Sequence, residues 1–130
     1  MLSTSLIHFL RSRARSFQHA FAGWWFVIRT QQNAWIHAVA SVTVVGLGLW
    51  LHLDLQDWAV VLLTIALVWT AEFLNTALEA IATLAADGRE HPLAKVGKDV
   101  GAAAVLIAAA ASVAIGLLIL GPPLLERLGF

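Results

Sequence analysis

Apolar residues recur along this chain in two patterns, which together predict four helices. In residues 1–29 the apolar side chains return at helical spacing and arginines occupy the other faces, which is typical of an amphipathic helix. Three later segments are apolar almost throughout, and each is long enough to cross a bilayer, which takes about 20 residues. We predict that these membrane helices span residues 34–53, 58–86 and 93–121.

Local sequence signals define the ends of these segments. Trp24 and Trp25 close the amphipathic segment, as expected for rings at the depth of lipid headgroups. We therefore predict that it lies on the membrane surface, although a soluble helix packed on a partner would show the same pattern. Pro92 suits the first turn of a helix. The run Gly121-Pro-Pro123 is expected to end the last helix.

Composition assigns the chain to a class of proteins. Of its 130 residues, 60% are hydrophobic and 12% are charged, whereas soluble domains are nearer one half and one quarter. We expect one all-α integral membrane domain over residues 1–130. The absence of cysteine excludes disulfide and thiol chemistry. No cleavable signal peptide is expected, because the first arginines stand in the middle of residues 1–22.

The basic residues predict the orientation in the membrane. In a three-span topology seven of the eight Lys and Arg side chains fall on one side, and only Arg127 falls on the other. The positive-inside rule then puts the N-terminus and the 87–99 loop in the cytoplasm and the C-terminus outside. We therefore predict a multi-pass protein of the bacterial inner membrane.

The second membrane segment carries a polar stripe. Glu72, Asn75 and Glu79 follow at intervals of three and four residues, which places them on one narrow helix face about 10 Å long. An acidic side chain at the centre of a membrane helix costs at least about 2.5 kcal/mol, so it normally faces protein or a wet cavity. Glu72 could be a general base or a hydrogen-bonded structural group, and Asn75 alone is often interhelical glue.

Further polar groups are expected at the cytoplasmic level of the membrane, beside the shallow end of this stripe. They are Lys98 and Asp99 at the start of the third span, and Gln31 and Asn33 at the start of the first. Carboxylates suit Mg²⁺ bridged to phosphates, and lysine suits phosphate charge. These groups are those that phosphoryl transfer requires. Lys98 and Asp99 could equally be an ordinary interfacial pair.

Other familiar signatures are missing from the sequence. His37 and His91 lack the spacing of metal ligands, so we predict no metal role for either. There is no Walker motif, glycine-rich phosphate loop or protein-kinase catalytic loop. We expect no nucleic-acid partner.

The polar stripe also carries a family resemblance. The pattern acidic–x–x–Asn–small–small–x–Glu over residues 72–79 resembles the prokaryotic diacylglycerol kinase family, as does the segment 92–106 with its Lys98-Asp99 pair. Segments 16–30 and 33–37 resemble the undecaprenol kinase branch of that family. The resemblance covers about residues 12 to 120.

The resemblance implies a homotrimer of three-span subunits, with ATP and Mg²⁺ as phosphoryl donor and a membrane lipid alcohol as acceptor. By position, Glu72 matches the general base and Glu79 matches a metal ligand. Asn75 and Lys98 match phosphate-binding residues, and Asp99 matches the acid beside that lysine. On the branch resemblance, we favour undecaprenol over diacylglycerol as the acceptor.

Two positions depart from the family pattern. Gln31, here a candidate nucleotide-binding residue, and Thr83 stand where the family has acids, and the loop before His91 is one residue longer. Because glutamine lacks the charge of glutamate, Mg²⁺ should bind more weakly. A non-catalytic or altered relative that binds lipid or nucleotide is therefore the alternative. A small channel or proton-coupled transporter would explain Glu72 but not Lys98 and Asp99.

Overall fold

The computed structural model describes residues 2–129, with the side chains of residues 5–129. All regular secondary structure in this range is helical, in four elements. The helices are α1 (Leu2–Thr30), α2 (Gln32–Leu51), α3 (Leu55–Ala85) and α4 (Pro92–Leu128). The chain divides into two compact units, Met1–Gln32 and Asn33–Phe130.

The N-terminal unit is built on α1, as the amphipathic pattern predicted. Its arginines lie along the helix: the guanidinium of Arg13 is 5.4 Å from the centre of the Phe9 ring, and that of Arg29 is 5.6 Å from the Trp25 ring. Such contacts cover aromatic surface and leave the charged head in water. Gln31 is the one position between α1 and α2 outside both helices. That α1 lies on a membrane surface remains a prediction.

The other three helices are each long and apolar enough to span a membrane. Asp54 begins α3: its side chain accepts hydrogen bonds from the backbone N–H of Gln56 and of Asp57, both at 2.9 Å. At about 1.5 Å per residue, the 31 residues of α3 exceed the roughly 30 Å of hydrocarbon. The helix therefore extends beyond the apolar layer.

The connection between α3 and α4 is a tight turn. Asp87 and Gly88 both adopt a positive φ, at 48° and 71°, which reverses the chain direction. His91 caps α4, because its Nδ1 accepts a hydrogen bond from the backbone N–H of Leu93 at 3.2 Å, and Pro92 occupies the first turn. The prediction of a helix start at Pro92 is confirmed.

The predicted end of the last helix was wrong. We expected Gly121-Pro-Pro123 to stop it at residue 121, but α4 continues through Pro122 and Pro123 to Leu128 and ends at Gly129, which has φ 85°. Proline in a helix removes a donor N–H, which tends to break the helix but does not forbid it. Here the turn beyond the prolines has a tertiary contact, since the Arg127 guanidinium is 4.8 Å from the Trp50 ring centre on α2.

The interior of the unit Asn33–Phe130 contains polar as well as apolar side chains. The buried face of α3 includes Val61, Val68 and Trp69 and then becomes polar at Glu72, Asn75 and Thr76; on α4 the buried residues include Gly101, Val105, Ala108 and Leu120. Large apolar side chains such as Val42, Ile107 and Leu118 are exposed instead. Buried polar side chains together with exposed large apolar side chains are typical of a membrane-spanning bundle.

Candidate active site

The stripe on α3 lies on the buried side of that helix at its deep end and opens outward at its shallow end. Glu72 is fully buried at 0% exposure, Asn75 is 6% exposed and Glu79 is half-buried. Asn75 Nδ2 donates a hydrogen bond to Glu79 Oε1 at 3.1 Å. The three side chains share one face, as their spacing predicted, and the last two are directly linked.

Glu72 is the most unusual group in the unit. Neither carboxylate oxygen has a hydrogen-bond partner among the described residues. The nearest opposing group is His37 Nε2 on α2, at 3.6 Å from Oε2. Leaving a buried polar group unpaired costs about 1–3 kcal/mol, and more when the group is charged. Groups retained at such a cost are concentrated in functional sites.

His37 belongs to a small cluster that joins α2 to α3. Its ring lies edge-on to Trp69, with centroids 6.3 Å apart. Trp69 Nε1 donates to Ser41 Oγ at 3.2 Å, and Ser41 Oγ donates to the backbone oxygen of His37 at 2.7 Å. The sequence predicted no metal role for His37, and no other role was expected. The feature that could have pointed to His37 is an ionisable residue within an apolar membrane span, which indicates a functional site by default.

Asn75 faces α4 at Gly101, where the two helices approach closely. A Cβ added to Gly101 would clash with Asn75 Oδ1, and that oxygen is buried without a hydrogen-bond donor. Gly101 thus lets α4 approach the stripe closely. The sequence showed Gly101 only as one of many small residues on α4, because the clash depends on how the two helices are aligned.

Lys98 and Asp99 do not form a pair with each other. The Asp99 carboxylate is bonded to the ammonium of Lys95, one turn away, and both side chains are largely exposed, at 61% and 77%. Residues four apart face each other on a helix, whereas adjacent residues point about 100° apart. Asp99 is therefore paired with Lys95 rather than with Lys98, and an exposed pair of this kind contributes little stability. The role expected of Asp99 stays a prediction.

Lys98 lies instead in a large polar groove at the α3–α4 turn. The groove encloses about 800 Å³, within the range of small-molecule sites. Its lining includes three basic side chains, one acidic side chain and the position where a further acid was expected: Arg89, Lys95, Lys98, Glu90 and Thr83. The Thr83 hydroxyl donates to the backbone oxygen of Glu79 at 2.7 Å, so it is bonded within its own helix. The groove can accept an anion carrying several negative charges.

A second, smaller cavity of about 70 Å³ lies among α2, α3 and α4. It reaches from His37 toward the N-terminal half of α3, and its lining is mainly apolar, with Val44, Val61 and Val68 among its residues. The cavity therefore reaches His37, the residue opposite Glu72, but is not lined by Glu72 itself.

Gln31 belongs to the unit Met1–Gln32, and its proposed role stays a prediction. Its side chain is half-buried, and its backbone N–H donates to the carbonyl oxygen of Val27 at 2.9 Å. The site described above therefore consists of Glu72, Asn75 and Glu79 with their neighbours on α2 and α4.

Comparison with known proteins identifies the family of the chain. A sequence model of the family described as prokaryotic diacylglycerol kinase matches residues 18–120. A diacylglycerol kinase of Synechocystis sp. is 44% identical over 111 residues, which cover 85% of this chain and 63% of that protein. An undecaprenol kinase of Bacillus subtilis is 41% identical over 110 residues, which cover 85% of this chain and 89% of that protein. The chain thus spans somewhat less than two thirds of the length of the first relative.

The matched region includes all of α2 and α3 and most of α4, and so contains the whole stripe and the residues that line the groove. The chain is a multi-pass membrane protein, and it belongs to the prokaryotic diacylglycerol kinase family, a family of lipid kinases.

Proposed function

We propose that the protein transfers the γ-phosphoryl group of ATP to the hydroxyl of a membrane lipid alcohol at the cytoplasmic face of the inner membrane. One observation supports this above all: Glu72, fully buried and without hydrogen-bond donors on either oxygen, shares a helix face with Asn75 and Glu79. A carboxylate kept free at membrane depth is available to a hydroxyl that arrives from the lipid, whereas ATP reaches the shallow end from water.

In the proposed reaction Glu72 acts as general base. Its carboxylate accepts the proton of the lipid hydroxyl while the hydroxyl oxygen forms a bond to the γ-phosphorus and the bond from that phosphorus to the β,γ-bridging oxygen breaks. ADP leaves with the electron pair of the broken bond. Burial of Glu72 excludes water, which would otherwise compete as the acceptor. Positioned proton transfer of this kind contributes about 10²–10⁴-fold to a rate.

The proposed donor end consists of Asn75, Glu79 and Lys98, with Asp99 and Gln31 as further candidates. Within residues 5–129 no three acidic, histidine or cysteine side chains cluster as a metal site. Mg²⁺ fits nevertheless, because it is commonly held by one or two carboxylates together with substrate phosphates and water. Glu79 would be that carboxylate, since Asn75 occupies only Oε1. The ion would neutralise charge on the phosphates.

Basic side chains in the polar groove would hold the nucleotide. Lys98, half-buried beside Arg89, suits the charge of a triphosphate. Asn75 would orient the phosphate nearest Glu79 through its amide. The ion pair with Lys95 leaves Asp99 in water, which makes a direct phosphate or metal contact of Asp99 the weakest of these assignments.

The acceptor we favour is undecaprenol, with diacylglycerol as the second candidate. The two relatives are named for these two lipids, and the one named undecaprenol kinase is matched over the larger share of its own length. The small apolar cavity lined by His37, the residue opposite Glu72, supports an acceptor with an apolar chain near the carboxylate.

The rival function is that of a non-catalytic relative that binds lipid or nucleotide. Its support is the loss of acids at Gln31 and Thr83. Against it stands the retention of Glu72, which a binding protein has no reason to keep buried and unpaired. A channel or transporter would have no use for the basic groove at the α3–α4 turn.

The proposed assembly is a homotrimer, and its support is the family resemblance. Ala102, Ala103 and Ala104 on α4 are exposed in the single chain, and small residues let membrane helices of neighbouring subunits approach closely. Native mass spectrometry should give a particle of three times the 14.0 kDa of one chain.

The decisive experiment is a lipid phosphorylation assay. Purified protein in bilayers receives γ-labelled ATP, Mg²⁺ and either undecaprenol or diacylglycerol. We expect labelled undecaprenyl phosphate, and a loss of roughly 10²–10⁴-fold in kcat for Glu72→Gln. Glu126→Gln, the same change at an exposed position on α4, should keep full activity. Binding of ATP without any labelled lipid product would reject the kinase in favour of the non-catalytic relative.

A further inference from the structure

The contact between His37 and Glu72 is too specific to be incidental packing. His37 is only 11% exposed and Glu72 is fully buried, so neither side chain is solvated by bulk water. His37 Nε2 and both Glu72 oxygens are without hydrogen-bond partners in the described structure, and they face each other across the α2–α3 contact. When a donor and an acceptor are buried together in this way, a hydrogen bond between them is the nearest way to offset the cost of burying them.

The separation of 3.6 Å is slightly beyond a hydrogen bond. Moving the ring by less than about 1 Å would bring Nε2 into the 2.7–3.2 Å range of an N–H donor to an oxygen. Catalytic hydrogen bonds are often long in the absence of substrate and shorten in the complex. The geometry is therefore that of a contact completed when the site is occupied.

The neighbouring residues restrict where His37 can go. Trp69 bonds to Ser41 across the α2–α3 contact, and Ser41 lies one turn after His37 while Trp69 lies one turn before Glu72. Trp69 also lies edge-on to the His37 ring. These contacts join the two helices next to the histidine and the carboxylate. A ring confined in this way can hold a carboxylate in one orientation.

We propose that His37 is a positioning residue for Glu72, an inference that rests on Glu72 being the general base. Nε2 of His37 donates to Oε2, the nearer oxygen, and this leaves Oε1 free to accept the proton of the lipid hydroxyl. His37 does not touch the reacting atoms. It fixes which oxygen meets the substrate, and it replaces the solvation that Glu72 lacks.

The test compares three substitutions that differ in where they place an N–H group. In histidine both ring nitrogens can donate. His37→Gln puts an amide N–H near the Nε2 position, His37→Asn puts one near Nδ1, and His37→Leu keeps similar volume without a donor. We expect His37→Leu and His37→Asn to lower kcat by roughly 10- to 100-fold, as misplacement of a catalytic group does. His37→Gln should keep most of the kcat of the unsubstituted protein.

The Michaelis constant for ATP separates positioning from general damage. It should be unchanged in all three variants, because His37 is not among the residues that line the polar groove. His8→Leu, at an exposed position of α1, serves as the control and should match the unsubstituted protein. Full kcat in His37→Leu, or equal losses in the Leu, Asn and Gln variants, would overturn the proposal.

A second measurement does not depend on activity. Melting temperatures of the single variants His37→Leu and Glu72→Gln and of the double variant form a double-mutant cycle. Coupled residues give a non-additive result, so the shift caused by His37→Leu should differ when Glu72→Gln is also present. Additive shifts would show that the contact does not exist. If the unsubstituted protein phosphorylates no lipid but the cycle is coupled, the proposed function fails and the contact stands.

Discussion

At the scale of single residues, each group of the stripe depends on a neighbour from its own helix or from another. Asn75 bonds to Glu79 within α3, whereas its oxygen lies against Gly101 of α4. The Glu72 carboxylate faces the ring of His37 on α2. The polar side chains are thus positioned where three helices meet, which gives the site more rigidity than one helix face could supply.

Gly101→Ala should damage the site through Asn75. The added methyl group clashes with Asn75 Oδ1, and overpacking of this kind costs about 1–3 kcal/mol. We expect a lower melting temperature and a decrease in kcat of roughly 10- to 100-fold as the amide is displaced. Gly97→Ala, one turn earlier where a Cβ meets nothing within 4 Å, is the matched control and should be tolerated.

A double variant shows whether the loss comes from the clash itself. Asn75→Ser shortens the side chain, so Asn75→Ser combined with Gly101→Ala should melt higher than Gly101→Ala alone. Activity should remain low, because the amide is gone. If the double variant melts no higher, the clash with Asn75 is not the cause of the damage.

Gln31→Glu tests whether the missing acid weakens the metal site. The change restores the charge that the family pattern has at this position, and Mg²⁺ affinity rises with the charge of its ligands. We expect the Mg²⁺ concentration that gives half-maximal activity to fall severalfold. Gln32→Glu adds the same charge at the next position and should have no such effect. An unchanged requirement for Mg²⁺ would place the metal site away from Gln31.

The residues that sequence could and could not predict differ in one respect. Glu72, Asn75 and Glu79 were found because their relation is fixed by the spacing along a single helix. Gly101 and His37 were missed as neighbours of the stripe, since their contacts depend on how α2 and α4 are aligned with α3. Asp99 pairs with Lys95, four residues away, as helix geometry favours.

At the scale of helices, most helix ends follow the known preferences of residue types, and the end of α4 is the exception. Pro92 and the Asp54 cap behave as their residue types suggest. Pro122 and Pro123 do not stop α4, whose final turn lies against α2 through Arg127 and Trp50. Local propensity could not show this, because the contact joins residues far apart in the chain.

Asp54→Ala should destabilise α3 without affecting catalysis. The substitution removes both hydrogen bonds to the first turn, at a cost of typically about 1 kcal/mol. Asp54 lies about 38 Å along the helix from Glu79, so kcat below the melting transition should be unchanged. Asp54→Asn, which keeps an oxygen acceptor, should melt near the unsubstituted protein. Equal losses for Ala and Asn would mean that charge matters and the cap does not.

At the scale of the whole molecule, the buried interior and the exposed surface differ in their polar and apolar side chains. Among the described residues of the unit Asn33–Phe130 the largest fully buried side chain is an acid, and apolar side chains such as Leu118 are largely exposed. Hydropathy along the sequence predicted this arrangement, because a stretch that is apolar on every face has no reason to sit beside water. Which side of the membrane each loop faces depends on charge instead.

The predicted topology can be tested by labelling because the chain contains no cysteine. Gln56→Cys marks the first turn of α3, and Glu90→Cys marks the loop before α4; both positions are exposed. Lys and Arg are retained on the cytoplasmic side during insertion, and seven of eight lie on the side of Glu90. In intact spheroplasts an impermeant maleimide should therefore label Gln56→Cys and spare Glu90→Cys, and permeabilisation should expose both. The reverse pattern would place the stripe's shallow end outside the cell, away from ATP, and the proposed kinase could not work in that orientation.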